Sequence, residues 1–115
     1  MGMSTAKQRK FPRRQFEQKI GVLKSGKYFL IESRQLGEGG LSLTSSEDFS
    51  KEETVILNFK IPKGNYVSVK ADVKNLFDTD TNLSSGSMKV VGFFFKDLDL
   101  NSRRQIRLFV AQRNQ

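Results

Sequence analysis

From Val67 to Lys74 apolar and polar residues alternate without a break, Val67, Val69, Ala71 and Val73 on one side and Ser68, Lys70, Asp72 and Lys74 on the other. A repeat of two puts them on opposite faces of a β-strand, a pattern no helix can produce. Val55, Leu57, Phe59 and Ile61 repeat it against Thr54, Asn58 and Lys60, and Pro62-Lys63-Gly64-Asn65 supplies the turn between the two strands. Upstream, residues 16–23 and 28–36 form a hairpin across Lys24-Ser25-Gly26-Lys27, and residues 41–44 make a short strand after a double glycine. Residues 88–95 are apolar on both faces, so Val91, Phe93 and Phe95 are assigned to the core, while Val90 and Phe94 need cover from another element. The small polar stretch 79–87 reads as a mobile hairpin loop.

The period changes near the C-terminus. Asp99, Asn101 and Ser102 offer capping side chains, and Leu100, Ile106, Phe109 and Val110 then recur at helical spacing, with Arg103, Arg104, Arg107 and Gln112 outside. This helix is expected to lie over the second apolar side of the 88–95 strand. Six short strands closed by one helix predict an all-β domain, a six-stranded antiparallel barrel with a C-terminal helical lid. No internal repeat or second domain is visible. Residues 1–8 read as a flexible N-terminal arm and residues 9–113 as the domain.

Composition narrows the chemistry. The 115 residues contain no Cys and no His, which removes disulfides, thiolate and imidazole catalysis and nearly every zinc site. The closest carboxylate pairs, Asp78 with Asp80, Asp97 with Asp99 and Glu52 with Glu53, fall in predicted loops or turns with no means of raising a pKa, so no enzyme is expected. No apolar run has the length of a membrane span or the character of a secretory leader, which predicts a soluble cytoplasmic protein with no membrane insertion.

The net charge of +8 is unevenly distributed. Lys7, Arg9, Lys10, Arg13 and Arg14 occupy the first fourteen residues, and Arg103, Arg104, Arg107 and Arg113 the last sixteen, with no acid in either stretch. A basic arm and a basic final helix favour an anionic partner.

Two short motifs sharpen that partner. Arg9 and Arg13, four apart in an extended chain, face the same side roughly 13 Å from each other, with Pro12 fixing one dihedral between them. Guanidinium forks grip phosphate and guanine edges with paired hydrogen bonds. Gln35-Leu36-Gly37-Glu38-Gly39-Gly40, between two apolar strands, lets the main chain approach a ligand closely. Taken singly, the arginines also describe a solvated basic tail, and the glycines a bulge or hairpin turn.

Together they resemble the PilZ domain family, which carries an Arg-x-x-x-Arg arm before its first strand and an Asp/Asn-x-Ser-x-x-Gly turn after its second. Arg9-x-x-x-Arg13 matches the arm, and residues 35–40 align with the turn. Val91-Gly92-Phe93-Phe94-Phe95 and the segment from Leu98 to Val110 fit the family's last strand and helix. The resemblance implies binding of cyclic di-GMP, a bacterial second messenger, with no cofactor. It implies that Arg9 and Arg13 grip guanine edges and phosphates, that Lys10 and Arg14 assist, and that Gln35, Gly37 and Gly40 form the turn contacts. Ordering of the arm would relay the messenger's level to an unidentified protein partner.

Gln35 stands where the family has Asp or Asn, and Gly37 where it has Ser. An amide has one acceptor oxygen where a carboxylate has two. The alternative is therefore a domain with a degenerate motif that binds no nucleotide and serves as a protein interaction adaptor. Phe93, Phe94 and Phe95 on a basic barrel also suggest base stacking, but a covering helix and a core of ten Phe account for them, and nucleic acid is not the expected partner.

Overall fold

The computed structural model describes residues 12–78 and 88–112. The alternating segments become β5 (Thr54–Lys60) and β6 (Tyr66–Asp78), antiparallel, with Leu57 opposite Val69 and Phe59 opposite Val67. Their turn closes as the sequence suggests: the Gly64 N–H donates to the Ile61 carbonyl at 2.7 Å, and the Ile61 N–H to the Asn65 carbonyl at 2.9 Å. The other elements are β1 (Arg13–Gln15), β2 (Lys19–Lys24), β3 (Lys27–Gly37), β4 (Gly40–Ser45), β7 (Lys89–Phe95) and α1 (Leu100–Ala111). The calls on residues 1–11, 79–87 and 113 lie outside the described residues.

Six strands close a ring in the order β3-β2-β5-β6-β7-β4 and back to β3, every pairing antiparallel. This is the predicted six-stranded barrel with a C-terminal helix. The seventh strand, β1, arises because the predicted strand 16–23 is interrupted. Buried Ser33 fills the break: its hydroxyl donates to the Phe16 carbonyl and accepts from the Gln18 N–H at 3.1 Å. Beyond the break the chain re-pairs with β3 as β1, Arg13 opposite Gly37 and Gln15 opposite Gln35.

Inward residues of every barrel strand meet in one core, where Val22, Leu43, Leu57, Val73 and Val91 lose all exposure. Phenylalanine supplies much of its volume. Phe59 stacks on Phe95 at 5.9 Å and meets Phe16 edge-on at 6.0 Å, while Phe49 meets Phe93 edge-on at 5.5 Å.

Helix α1 begins where Asp99 accepts a hydrogen bond from the Ser102 N–H at 3.0 Å, the capping expected from sequence. Its buried stripe is Ser102, Ile106 and Val110, spaced by four, with half-buried Phe109 edge-on to Phe16 at 5.9 Å. Leu100, expected inside, is 66% exposed. It stands two residues before Ser102, about 200° around the helix from that stripe. Nor does α1 cover the 88–95 strand, because it packs on β1 and β3 and leaves Phe94 51% exposed.

Polar ties explain that placement. Arg107 donates to both oxygens of buried Glu38, from Nε at 3.2 Å and from Nη2 at 2.7 Å. Gln105 Oε1 accepts from the Asn65 N–H at 2.7 Å, joining the helix to the β5–β6 turn. Arg14 Nη1 donates to the Phe109 carbonyl at 2.8 Å with its guanidinium 4.4 Å above that ring, which satisfies a carbonyl of the helix's last turn. The Arg107 hydrogen bonds hold the Glu38 carboxyl below its ordinary pKa, against the opposing effect of burial.

Two outcomes follow from this packing. A Cβ at Gly40 would overlap the Phe93 carbonyl oxygen, so Gly40→Ala is expected to lose about 1–3 kcal/mol of stability in urea titration. Because Glu38 titrates below its unfolded value, the stabilisation from its pair with Arg107 is complete above the ordinary glutamate pKa and is lost as pH falls through the depressed one. Arg107→Met is expected to unfold at lower urea than the parent at pH 7, with the gap closing as pH falls through the depressed Glu38 pKa; an unchanged gap would assign the loss to packing alone.

Candidate functional site

The pleat of β1 sends neighbouring arginines to different places. Arg13 pairs with Gly37 and Gln15 with Gln35, on the outer face of the barrel, whereas Arg14 pairs with core residue Leu36 and reaches the helix. Of the arm residues named from sequence, Arg13 is thus presented outward and Arg14 is engaged with α1. Arg9 and Lys10 lie outside the described residues.

Two bulges shape the surface that Arg13 overlooks. The β3–β4 register slips between Ser33 and Gln35, and the β6–β7 register between Val73 and Asn75. Each slip leaves two adjacent polar residues outside, Arg34 with Gln35 and Lys74 with Asn75, and re-aims side chains beyond it. Registers then align one lateral row across five strands: Gln15, Gln35, Ser42, Gly92, Asn75. These residues are far apart in sequence and adjacent in space.

Four members of the row, Gln35, Ser42, Gly92 and Asn75, belong to a cleft of about 270 Å³ whose lining also includes Arg13, Arg34, Phe77 and Val90. Ser42 and Gly92, the smallest, lie buried at its centre; a Cβ at Gly92 would stand 3.3 Å from Asn75 Nδ2, so that amide overhangs the glycine. Phe77, 59% exposed, and Val90 form an apolar wall. Arg13 also borders a second hollow of about 580 Å³ with Arg14, Gln15 and Glu17. The described lining of the cleft holds two guanidinium groups, two amides and no carboxylate. Such a surface is suited to phosphate and a flat heterocycle.

Of the turn residues, Gln35 is in this cleft. Gly37 and Gly40 have structural reasons of their own. A Cβ at Gly37 would stand 2.7 Å from the Pro12 carbonyl oxygen and 3.0 Å from Arg13 Cγ, so the missing side chain admits β1 to the edge of β3. A serine there, the family's residue, would push β1 away rather than simply add a hydroxyl. Gly40 is required by β7, and neither glycine has a positive φ.

Arg34, Ser42, Asn75 and Phe77 were not singled out from sequence. The signal was present as a phase slip: buried Ser33 and Val73 are followed by inward Leu36 and Leu76, with two polar residues between. Three of the carboxylates weighed for catalysis hold structure, and Asp80 lies outside the described residues. Asp99 caps α1, Glu52 pairs with Lys74 at 3.1 Å and Glu53 with Lys24 at 3.6 Å. Phe93 and Phe95 are buried, so the triple phenylalanine exposes one ring. Among the described residues no helix is long and apolar enough to cross a membrane.

No curated protein matches the chain. Among solved structures, the Bacillus subtilis inhibitor of motility MotI/DgrA superposes with a TM-score of 0.79 at 12% identity, over 94% of this chain and 52% of that one. The K. pneumonia MrkH–c-di-GMP complex gives 0.69 at 19% identity, over 95% and 56%. The PilZ domain with c-di-GMP of YcgR from Escherichia coli gives 0.71 at 9% identity, over 91% and 90%. This chain spans about half the length of the first two, and at these identities the likeness is one of fold. A family model described as PilZ domain matches residues 7–112, nearly the whole chain and all of the barrel and helix described above, and the chain therefore belongs to the PilZ domain family.

Proposed function

We propose that this domain is a non-catalytic receptor for cyclic di-GMP that passes its occupancy to a protein partner. The observation that carries the reading is the cleft itself, in which Arg13 from the arm motif and Gln35 from the turn motif meet on one outward face. Family membership and the c-di-GMP-bound structures of MrkH and the YcgR PilZ domain support the choice of ligand.

In this reading Arg13 and Arg34 hold phosphate, Gln35 meets a base edge and Phe77 stacks on the base. Arg9, the other arginine of the arm motif, is assigned as its second fork and Lys10 as its auxiliary. Gly37 and Gly40 contribute through backbone approach, by seating β1 and closing β4 on β7. Arg14 is assigned to α1 rather than to the ligand. The relay rests on the pleat: Arg13 on the cleft side is followed by Arg14 on the helix side, and cleft residue Gln35 lies three residues before Glu38 on the helix side, so a pull on the cleft is felt at the helix grips. The cytoplasm, where a nucleotide messenger is made, is the assigned compartment.

One observation favours the adaptor alternative. Gly37 leaves no room for the family's serine while β1 is seated, so the turn has lost a hydroxyl that the present packing cannot restore.

Titration calorimetry with cyclic di-GMP separates the two. Loss of one charge-assisted fork costs about 1.5–3 kcal/mol, so Arg13→Ala is expected to weaken binding roughly 10- to 150-fold while circular dichroism stays that of the parent. A parent that releases no heat and shows no thermal shift with the ligand would favour the adaptor, and equal affinity in Arg13→Ala would remove Arg13 from the site.

A further inference from the structure

The outer face of β2 and β3 carries apolar side chains that the barrel core does not use. Leu30 is 60% exposed, Tyr28 56% and Leu23 36%, and half-buried Ile56 of β5 continues the patch beside Leu23. None of these residues lines the cleft. We propose that this face pairs two copies of the chain about a two-fold axis running along the strands, between β2 and β3.

The occupant is read from the way the patch complements itself. Across the antiparallel pair, Lys19 stands opposite Glu32, Gly21 opposite Leu30 and Leu23 opposite Tyr28. These three pairs alternate with inward Ile20, Val22 and Ile31, so they share the outer face. When two such faces meet, an axis between the strands exchanges their positions, and each β3 residue comes to face its own β2 neighbour on the second copy. Glu32 then faces Lys19, twice over. Leu30 faces Gly21, where the Tyr28 ring already lies: a Cβ at Gly21 would overlap that phenol, so the glycine is what lets the ring lean across β2. Leu30 of each copy thus meets the Tyr28 ring of the other, and Leu23 closes the patch beside it.

Charge favours a second copy over an unrelated partner. Among the described residues, Lys24, Lys27, Lys74 and Lys96 each pair with a carboxylate of the same chain at 3.1–3.9 Å. Lys19 and Glu32 are exposed and directly opposite, yet among the described residues they are in no such pair. One cation and one anion side by side are satisfied together by a face that presents the same two in exchanged order, which is what the two-fold copy offers. An aromatic anchor at the centre with charges at the margin is also how protein interfaces are composed. The patch is small against the roughly 800 Å² per partner of a stable interface, so the dimer is a weak one that forms at high concentration.

Sedimentation equilibrium of the full chain without nucleotide, from about 10 μM to about 1 mM, tests this. The parent is expected to move toward twice the monomer mass, and Leu30→Lys to raise the dissociation constant at least about tenfold with an unchanged circular dichroism spectrum. Lys19→Glu and Glu32→Lys each set like charges face to face, and each is expected to weaken association by about tenfold. An equimolar mixture of those two variants restores opposite charges at both contacts and is expected to associate like the parent. Like charges on neighbouring strands persist inside each variant chain, so recovery in the mixture reports the contact between chains rather than the fold. A parent that stays monomeric over the whole range, single variants that associate as the parent does, or a mixture no stronger than its components would each overturn the proposal. With no ligand present, all of these results leave the receptor reading untouched.

Discussion

No side chain fits at position 40. The first residue of β4 lies so close to β7 that a Cβ would overlap the Phe93 carbonyl oxygen, and the ring of six strands closes through this contact. Two residues earlier, Glu38 holds α1 through Arg107; three residues earlier, Gly37 leaves the space into which β1 fits. Barrel closure, helix attachment and seating of the arm therefore converge on one four-residue turn. Gly37 and Gly40 answer to packing against neighbouring strands, and neither turns its backbone into the left-handed region.

This convergence gives the domain a simple mechanical character. In a pleated strand, consecutive residues belong to opposite faces, so a strand bordering both the cleft and the helix serves both at once. On β1 the outward residue Arg13 borders the cleft, while Arg14 grips the C-terminal turn of α1. On β3 Gln35 faces the cleft, and just beyond the strand Glu38 anchors Arg107. Cleft and helix thus share supports on the two faces of β1 and β3. Two of the basic residues that suggest an anionic partner, Arg14 and Arg107, are engaged in these helix contacts.

The barrel was legible wherever alternation was uninterrupted. Residues 54–60 and 66–73 revealed their faces because one side of each strand is buried and the other meets water. The helix was legible through its cap and its Ile106–Val110 stripe, but Leu100 was misplaced because an apolar residue at a helix start can satisfy the spacing loosely while facing away. Phe94 was read as needing cover, whereas an outer sheet face tolerates a single exposed ring. Most of the cleft was hidden for a different reason. Ser42, Asn75, Phe77 and Gly92 come together only through the register of β3 with β4, β4 with β7 and β6 with β7, and two bulges set that register. Local sequence marks a bulge faintly, as a pair of polar residues across a change of phase, and says nothing about which distant residue the slip will face.

The claim on which the functional reading stands is that ligand occupies the outward row from Gln35 to Asn75. Amide chemical-shift mapping of the labelled domain during titration with cyclic di-GMP addresses it residue by residue. Ser42, Gly92, Asn75 and Gly37 are expected to move together, with weaker changes at Glu38 and Arg107 and none at Tyr28 and Leu30 on the β2–β3 face. Shifts confined to that far face, or a titration in which Ser42 and Gly92 stay fixed while other amides saturate, would place the ligand elsewhere and contradict the assignment.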